Sequence, residues 1–287
     1  MTPPDVYTRF IRPLPALQPY INYFALRRFN TYGAIFPKAM IADNEIMINF
    51  LLNAPIYGFE SANNWNYSLN EHNKTECYLS SIQTFTKGFL LFKNENTILT
   101  IHFKPTGFYY IFNISPKELK EFMGETATIL GNEVAGLYEQ IREVNNIEKC
   151  ITLVETYLLK KHHSCKRRYT NAGIQHAANL IIQQEGVYSI AKLAAELNIT
   201  QQTLEIQFLT QVGIDPKSFC RLTRFKHAVN MKLYNTALTW TSIAHACGYY
   251  DQMHMIKDFK RMSEFSPKDF MRIIQPPKEN FTGEQDI

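Results

Sequence analysis

The 287-residue chain is poor in the features that mark several large protein classes. Its five cysteines, Cys77, Cys150, Cys165, Cys220 and Cys247, are odd in number, widely spaced and without a C-x-x-C pair. That pattern argues against a disulfide framework and for the reducing cytoplasm. The longest apolar run, Ile46 to Leu52, is broken by Asn49 and falls far short of the ~20 residues of a membrane helix. The first residues, Met1 to Asp5, lack a basic stretch followed by an apolar core, so no secretory signal is expected. Before residue 160 there are two histidines, His72 and His102, too few for a metal-dependent barrel enzyme. No glycine-rich phosphate loop, no G-x-S-x-G and no defensible pair of acidic residues is present. These absences together predict no enzyme, no cofactor and no membrane partner.

What the chain does have is an uneven distribution of charge. Residues 1–165 hold 15 Lys+Arg against 15 Asp+Glu, whereas 166–272 hold 14 against 8. The excess positive charge therefore sits in the C-terminal part, as expected of a segment that meets a polyanion.

The expected fold class is α+β. Short stretches rich in Ile, Leu, Phe and Tyr near 35–40, 45–52, 76–83, 88–92, 97–103 and 108–113 read as strands of a barrel or sandwich. Lys93-Asn94-Glu95-Asn96 and Lys104-Pro105-Thr106-Gly107 read as turns between them. Ser115-Pro116-Lys117-Glu118 has the form of a helix start. Helices are expected over about 132–144 and after Asn145-Asn146, where Ile147, Ile151, Val154 and Leu158 recur at helical spacing. That stripe serves either the core or a dimer contact. The many aromatic residues of this half serve either the core or a ligand cavity. The predicted division is 1–160 as a β-rich sensor and dimerisation domain, 161–168 as a basic linker, 169–274 as an all-helical domain and 275–287 as a disordered tail. His162-His163 beside Cys165 on such a linker is a poor metal site.

Within the helical part, 189–212 reads as two short helices joined at Asn198-Ile199. Ile190, Leu193, Ala194 and Leu197 form one inner face and Leu204 with Phe208 the next. The second of these helices carries Gln201, Gln202, Thr203, Glu205 and Ile206 as candidate base readers, with Leu209 also outward. The arrangement recurs at 241–262, with Gly248 at the turn, Asp251 as cap and Gln252, Met253, Ile256, Lys257, Lys260 and Arg261 outward. A helix from Pro216 to about Tyr234 joins the two units. Its nineteen residues span ~28 Å, near the ~34 Å pitch of B-DNA, so it can set two helices into successive major-groove turns.

The stretch from Gly248 through Tyr249, Tyr250, Asp251, Gln252, His254 and Lys257 to Phe259-Lys260-Arg261, then Phe265-Ser266-Pro267, resembles the second-unit signature of AraC/XylS-type transcription regulators. Leu193-Ala194, Gly213, Pro216, Arg224 and Ala228 support the resemblance, which covers about 170–272. Phe103-Lys104-Pro105-Thr106-Gly107-Phe108 and Ile114-Ser115-Pro116 are similar to pieces of the cupin-like sensor domains that precede such modules. The resemblance implies a regulator that binds double-stranded promoter DNA and works with RNA polymerase, more often an activator than a repressor. It also implies a homodimer through the N-terminal domain and, in some members, a small-molecule effector bound there. Two positions depart from the pattern: Ile206, with Leu209 and Thr210, stands where the family carries basic residues, and Glu264 where it favours glycine. A first reading helix without positive charge leaves open a second function, a helix-turn-helix relative that binds protein instead of DNA.

Overall fold

The computed structural model describes residues 5–61, 74–86, 88–144, 146–165 and 172–273. The N-terminal part is an antiparallel sheet of β1 (Tyr7–Ile11), β2 (Ile21–Ala39), β3 (Met47–Leu51), β4 (Ile56–Ser61), β5 (Lys74–Thr75), β6 (Cys77–Ser80), β7 (Gly88–Phe103) and β8 (Met123–Glu125). The main path runs β1-β2-β7-β3-β6-β8, and β4 pairs with both β5 and β7. The 19-residue β2 and 16-residue β7 pair along most of their length and form the spine. Both bend at one level. The register slips between Asn30 and Ile35, where Tyr32 and Gly33 have φ of 51° and 85°, and Asn94 opposite has 64°. One face of the sheet is built on Leu51, Ile56, Tyr78, Leu90, Phe92 and Ile98. The opposite face packs into the larger core.

Three expectations are corrected here. Lys93 to Asn96 is not a hairpin turn but the bent middle of β7, because the residues on either side pair with the same partner strand. The aromatic run near 108–113 is not a strand but α1 (Gly107–Phe112), with Gly107, Phe108, Tyr109, Tyr110 and Ile111 all buried. Burial on every side removes the periodicity by which a helix is recognised. Lys161 to Ser164 do not begin a linker; they are the last turn of α4 (Ile147–Ser164), which Asn146 caps by accepting the Lys149 amide. Residues 166–168 of the expected linker and the expected tail 275–287 lie outside the described residues.

Two short helices follow β8, α2 (Thr126–Leu130) and α3 (Asn132–Arg142). Helices α1, α3 and α4 are part of the same buried cluster as that opposite face of the sheet, and Ile151, Val154 and Leu158 belong to it. The C-terminal part is α5 (Ala172–Gln183), α6 (Ile190–Glu196), α7 (Gln201–Val212), α8 (Pro216–Tyr234), α9 (Trp240–Ala246), α10 (Gln252–Ser263) and α11 (Pro267–Ile273). The α+β architecture and the long joining helix are as expected from sequence. Asp215 caps α8 with Pro216 at its first position. Phe219, Leu222, Phe225, Ala228 and Val229 bury it. Phe225 meets Phe259 and Phe270 edge-on at 4.8 and 5.6 Å, which ties α8 to α10 and α11.

The two parts, expected from sequence as separate domains, are joined by direct contacts. Among the described residues the N-terminal part holds the helical part at several places, one of them α5, where Gln175 donates to the Pro19 carbonyl (2.6 Å). Tyr110 donates to Gln211 Oε1 (3.0 Å) and Ser115 to the Thr210 carbonyl (2.8 Å), at the end of α7. The Thr86 amide donates to the Met262 carbonyl (2.7 Å), at the end of α10. Between them, Lys226 of α8 lies 2.7 Å from Asp43 and 3.3 Å from Glu45, while Asn44 donates to Thr223 (3.1 Å). His102 completes the cluster, its Nδ1 2.8 Å from Glu45 Oε2.

Candidate nucleic-acid interface

The two helix pairs are built from the same local devices. Ser189 caps α6 by accepting the Lys192 amide, and Thr239 caps α9 by accepting the Ser242 amide. Each first helix ends in a left-handed residue, Asn198 at φ 53° and Gly248 at φ 68°. The chain then folds back so that Ile199 donates to the Ala194 carbonyl and Tyr249 to Ala244. Thr200 caps α7 and Asp251 caps α10, accepting the amides of Thr203 and His254. Both second helices have twelve residues and end in a left-handed residue, Gly213 and Glu264. Asn198 and Thr200 in the first unit correspond to Gly248 and Asp251 in the second. Tyr250 is therefore the single extra residue of the second turn, and it is 89% exposed.

This correspondence pairs the outward residues one by one. Gln201 matches Gln252, Glu205 matches Ile256, and Ile206, Leu209 and Thr210 match Lys257, Lys260 and Arg261. On α7, Gln201, Gln202, Glu205 and Ile206 are exposed, Ile206 by 59%. Thr203 is half-buried and its hydroxyl lies 2.8 Å from that of Thr200, so it belongs to the cap. On α10, Met253, Lys257, Lys260 and Arg261 are exposed, and Gln252 and Ile256 are half-buried. Among the described residues none of these three cations forms an ion pair, which leaves their charge available to a ligand. Lys260 and Arg261 also sit in the last turn of α10, where positive charge is favoured by the helix dipole. Thr241 of α9 donates to Gln252 Oε1 at 2.8 Å. The outward residues, legible from helical spacing, are thus brought to two equivalent helices; Tyr250 and Thr241 were not anticipated.

Glu264 shows what the missing glycine costs. It ends α10 at φ 65°, a conformation that disfavours a side chain, and it is exposed. Glu264→Gly should stabilise the protein by about 0.5–1 kcal/mol, read as an upward shift of the thermal midpoint. A fall in the midpoint would mean that the glutamate side chain makes a compensating contact.

The interdomain cluster has its own electrostatics. Burial would depress the Lys226 ammonium, but Asp43 and Glu45 more than reverse this and hold its pKa above the usual lysine range. Burial would raise Glu45, yet Lys226 and His102 hold it well below the usual carboxylate range. Burial pushes Asp43 up, only partly offset by Lys226. Burial also lowers His102, so the neutral ring donates from Nδ1 to Glu45.

Residues 193–273 match the family model of a helix-turn-helix domain. The C-terminal domain is a helix-turn-helix domain. A curated relative is the lactose operon transcription activator of Staphylococcus xylosus, 20% identical over 185 residues. That match covers 56% of this chain and 66% of the relative, just short of two thirds of its length. Similar solved structures include ToxT from Vibrio cholerae, at 13% identity and a TM-score of 0.45 over 87% of this chain and 97% of that one. ToxT of Vibrio cholerae O395 bound to (E)-4-(8-methylnaphthalen-1-yl)but-3-enoic acid is similar at 12% identity and a TM-score of 0.44, over 94% and 99% of the two chains. Among the described residues no helix is long and apolar enough to cross a membrane.

Proposed function

We propose that this chain is a sequence-specific transcription regulator that reads double-stranded promoter DNA through α7 and α10. The observation that carries the reading is the outer face of α10: Gln252 and Met253 at its start, then Lys257, Lys260 and Arg261, exposed and without ion-pair partners among the described residues. Glutamine and lysine are suited to base edges, and lysine and arginine to phosphates. The length of the α8 spacer, ~28 Å, is close to the ~34 Å of one groove turn, which supports two reading helices in successive turns of the major groove.

Activation rather than repression, action with RNA polymerase in the cytoplasm, and a homodimer through the N-terminal domain belong to the same proposal. So does modulation by a small-molecule effector in that domain. Contacts at the ends of α7 and α10 and the middle of α8 support it, since a change in the sheet would reach both reading helices.

One observation favours a different function. The exposed face of α7 carries Gln201, Gln202, Glu205 and Ile206 and no positive charge, as a protein-binding surface would. A salt titration separates the two. Phosphate contacts lower log affinity by about 0.9 per contact for each unit of log salt. The three α10 cations should give a slope near −3 or steeper on a duplex enriched from random sequence. A flat dependence, or no enriched duplex, would leave the protein-binding module.

A further inference from the structure

Both units begin their second helix with a glutamine, but the two glutamines are held differently. At Gln252 the side-chain oxygen accepts the Thr241 hydroxyl from the first turn of α9 (2.8 Å). In the first unit the place of Thr241 is taken by Ala191, which has no hydroxyl to give, and Gln201 is exposed. The difference matters because a glutamine that reads adenine uses both ends of its amide: the oxygen accepts from N6 and the nitrogen donates to N7. The oxygen of Gln252 is turned toward α9. The planar amide then directs Nε2, with its two hydrogens, away from α9.

We propose that Thr241 is a positioning residue that determines specificity: by holding the Gln252 carbonyl it makes the second unit read a keto base, guanine or thymine, in place of adenine. An outward amide nitrogen is a donor only. In the major groove guanine presents two adjacent acceptors, N7 and O6, and thymine presents O4, whereas adenine offers such a donor only N7, with the N6 amino group, another donor, beside it. Gln201, with no hydroxyl at the equivalent position, keeps both ends of its amide for a base. The two units therefore differ in more than charge: the same residue at the same helical position carries two different reading rules. The inference rests on the DNA-binding reading and deepens it by naming the edge that one residue recognises.

The test is selection of bound duplexes from random sequence by the full chain, comparing the natural protein with Thr241→Ala, Thr241→Ser and Gln252→Ala. Thr241 is exposed, so the variants should unfold at the temperature of the natural protein. The natural protein should enrich guanine or thymine at one position, and Gln252→Ala should lose that preference there. Thr241→Ala should move the same position toward adenine by roughly fivefold or more, and Thr241→Ser, which keeps the hydroxyl, should not. The proposal is overturned if Thr241→Ala selects the same base as the natural protein. It is equally overturned if the position that depends on Gln252 is adenine from the start, or if Gln252→Ala changes no position. A natural protein that enriches no sequence is a separate failure, because it removes the DNA-binding reading on which the inference stands.

Discussion

Replacing Lys226 with alanine should destabilise the full chain by about 3 kcal/mol, the lower end of what removing one member of a buried ion pair costs. The lower end applies because the three side chains are not wholly dry: Lys226 and Asp43 are each 17% exposed and Glu45 24%. Without Lys226 two carboxylates face each other at the domain junction, and among the described residues neither has another cation within ion-pair distance apart from His102, whose burial favours the neutral ring. The combination Lys226→Met, Asp43→Asn and Glu45→Gln keeps the volumes and removes the charges. It should recover most of the loss, because a buried ion pair replaced as a whole is often neutral. Urea unfolding of the single and combined variants reads both effects. A Lys226→Ala chain within 0.5 kcal/mol of the natural one would show that water, not Lys226, solvates the carboxylates.

The same cluster gives the protein an acid limit, and the sign follows from which state binds more protons. The folded-state pKa of His102 lies below its ordinary 6.5, so the unfolded chain binds more protons as pH falls through 6.5 and stability declines. Glu45, also lowered, adds to the decline below 4.5. Asp43, raised, works the other way, since the folded state then takes up the proton more readily. Lys226, raised, contributes stability that is lost only as pH rises above 10.5. The charged groups facing His102 are Glu45, Arg27 and Lys226. Changing His102 to glutamine should therefore flatten the pH dependence of the urea midpoint just below 6.5.

The parts of this protein that were legible in its sequence are those set by short-range chemistry. Thr200, Asp251 and Pro216 announce helix starts because capping involves residues three positions apart. Gly248 announces a turn because its φ of 68° suits glycine. The outward faces of α7 and α10 follow from spacing alone. What was misread depended on partners distant in the chain. Phe108 to Phe112 looks like a strand by composition and becomes a helix wedged between the sheet and α4. The Lys93–Asn96 segment looks like a turn and becomes the bend of β7 because one long partner, β2, bends with it. Lys226 is the instructive omission. It shares a helical row with Phe219 and Thr223, both buried, and a lysine on such a row needs an acidic partner. Asp43 and Glu45 interrupt an otherwise apolar stretch in the same way. Each anomaly was visible, but 181 and 183 residues of separation hid the pairing.

Lys257→Ala should cost ~1–3 kcal/mol of specific DNA binding and relax the base preference at one position. Lys257, Lys260 and Arg261 occupy the positions that Ile206, Leu209 and Thr210 hold on α7, so the attraction to phosphate and to guanine edges is concentrated on α10. Removing Lys257 takes one of three charges from the only strongly basic reading face among the described residues. The mirror change adds what α7 lacks. Ile206 is 59% exposed, and an apolar side chain there offers at most contact with a thymine methyl. Ile206→Arg should raise affinity for DNA of any sequence and steepen the salt dependence by roughly one unit, with specificity rising less than affinity. Binding of both variants to an enriched duplex and to random DNA, at several salt concentrations, decides the matter. If Lys257→Ala binds like the natural protein, α10 does not carry the affinity. If Ile206→Arg loses the enriched duplex while keeping its fold, Ile206 already makes a specific contact, and α7 reads bases through an apolar surface.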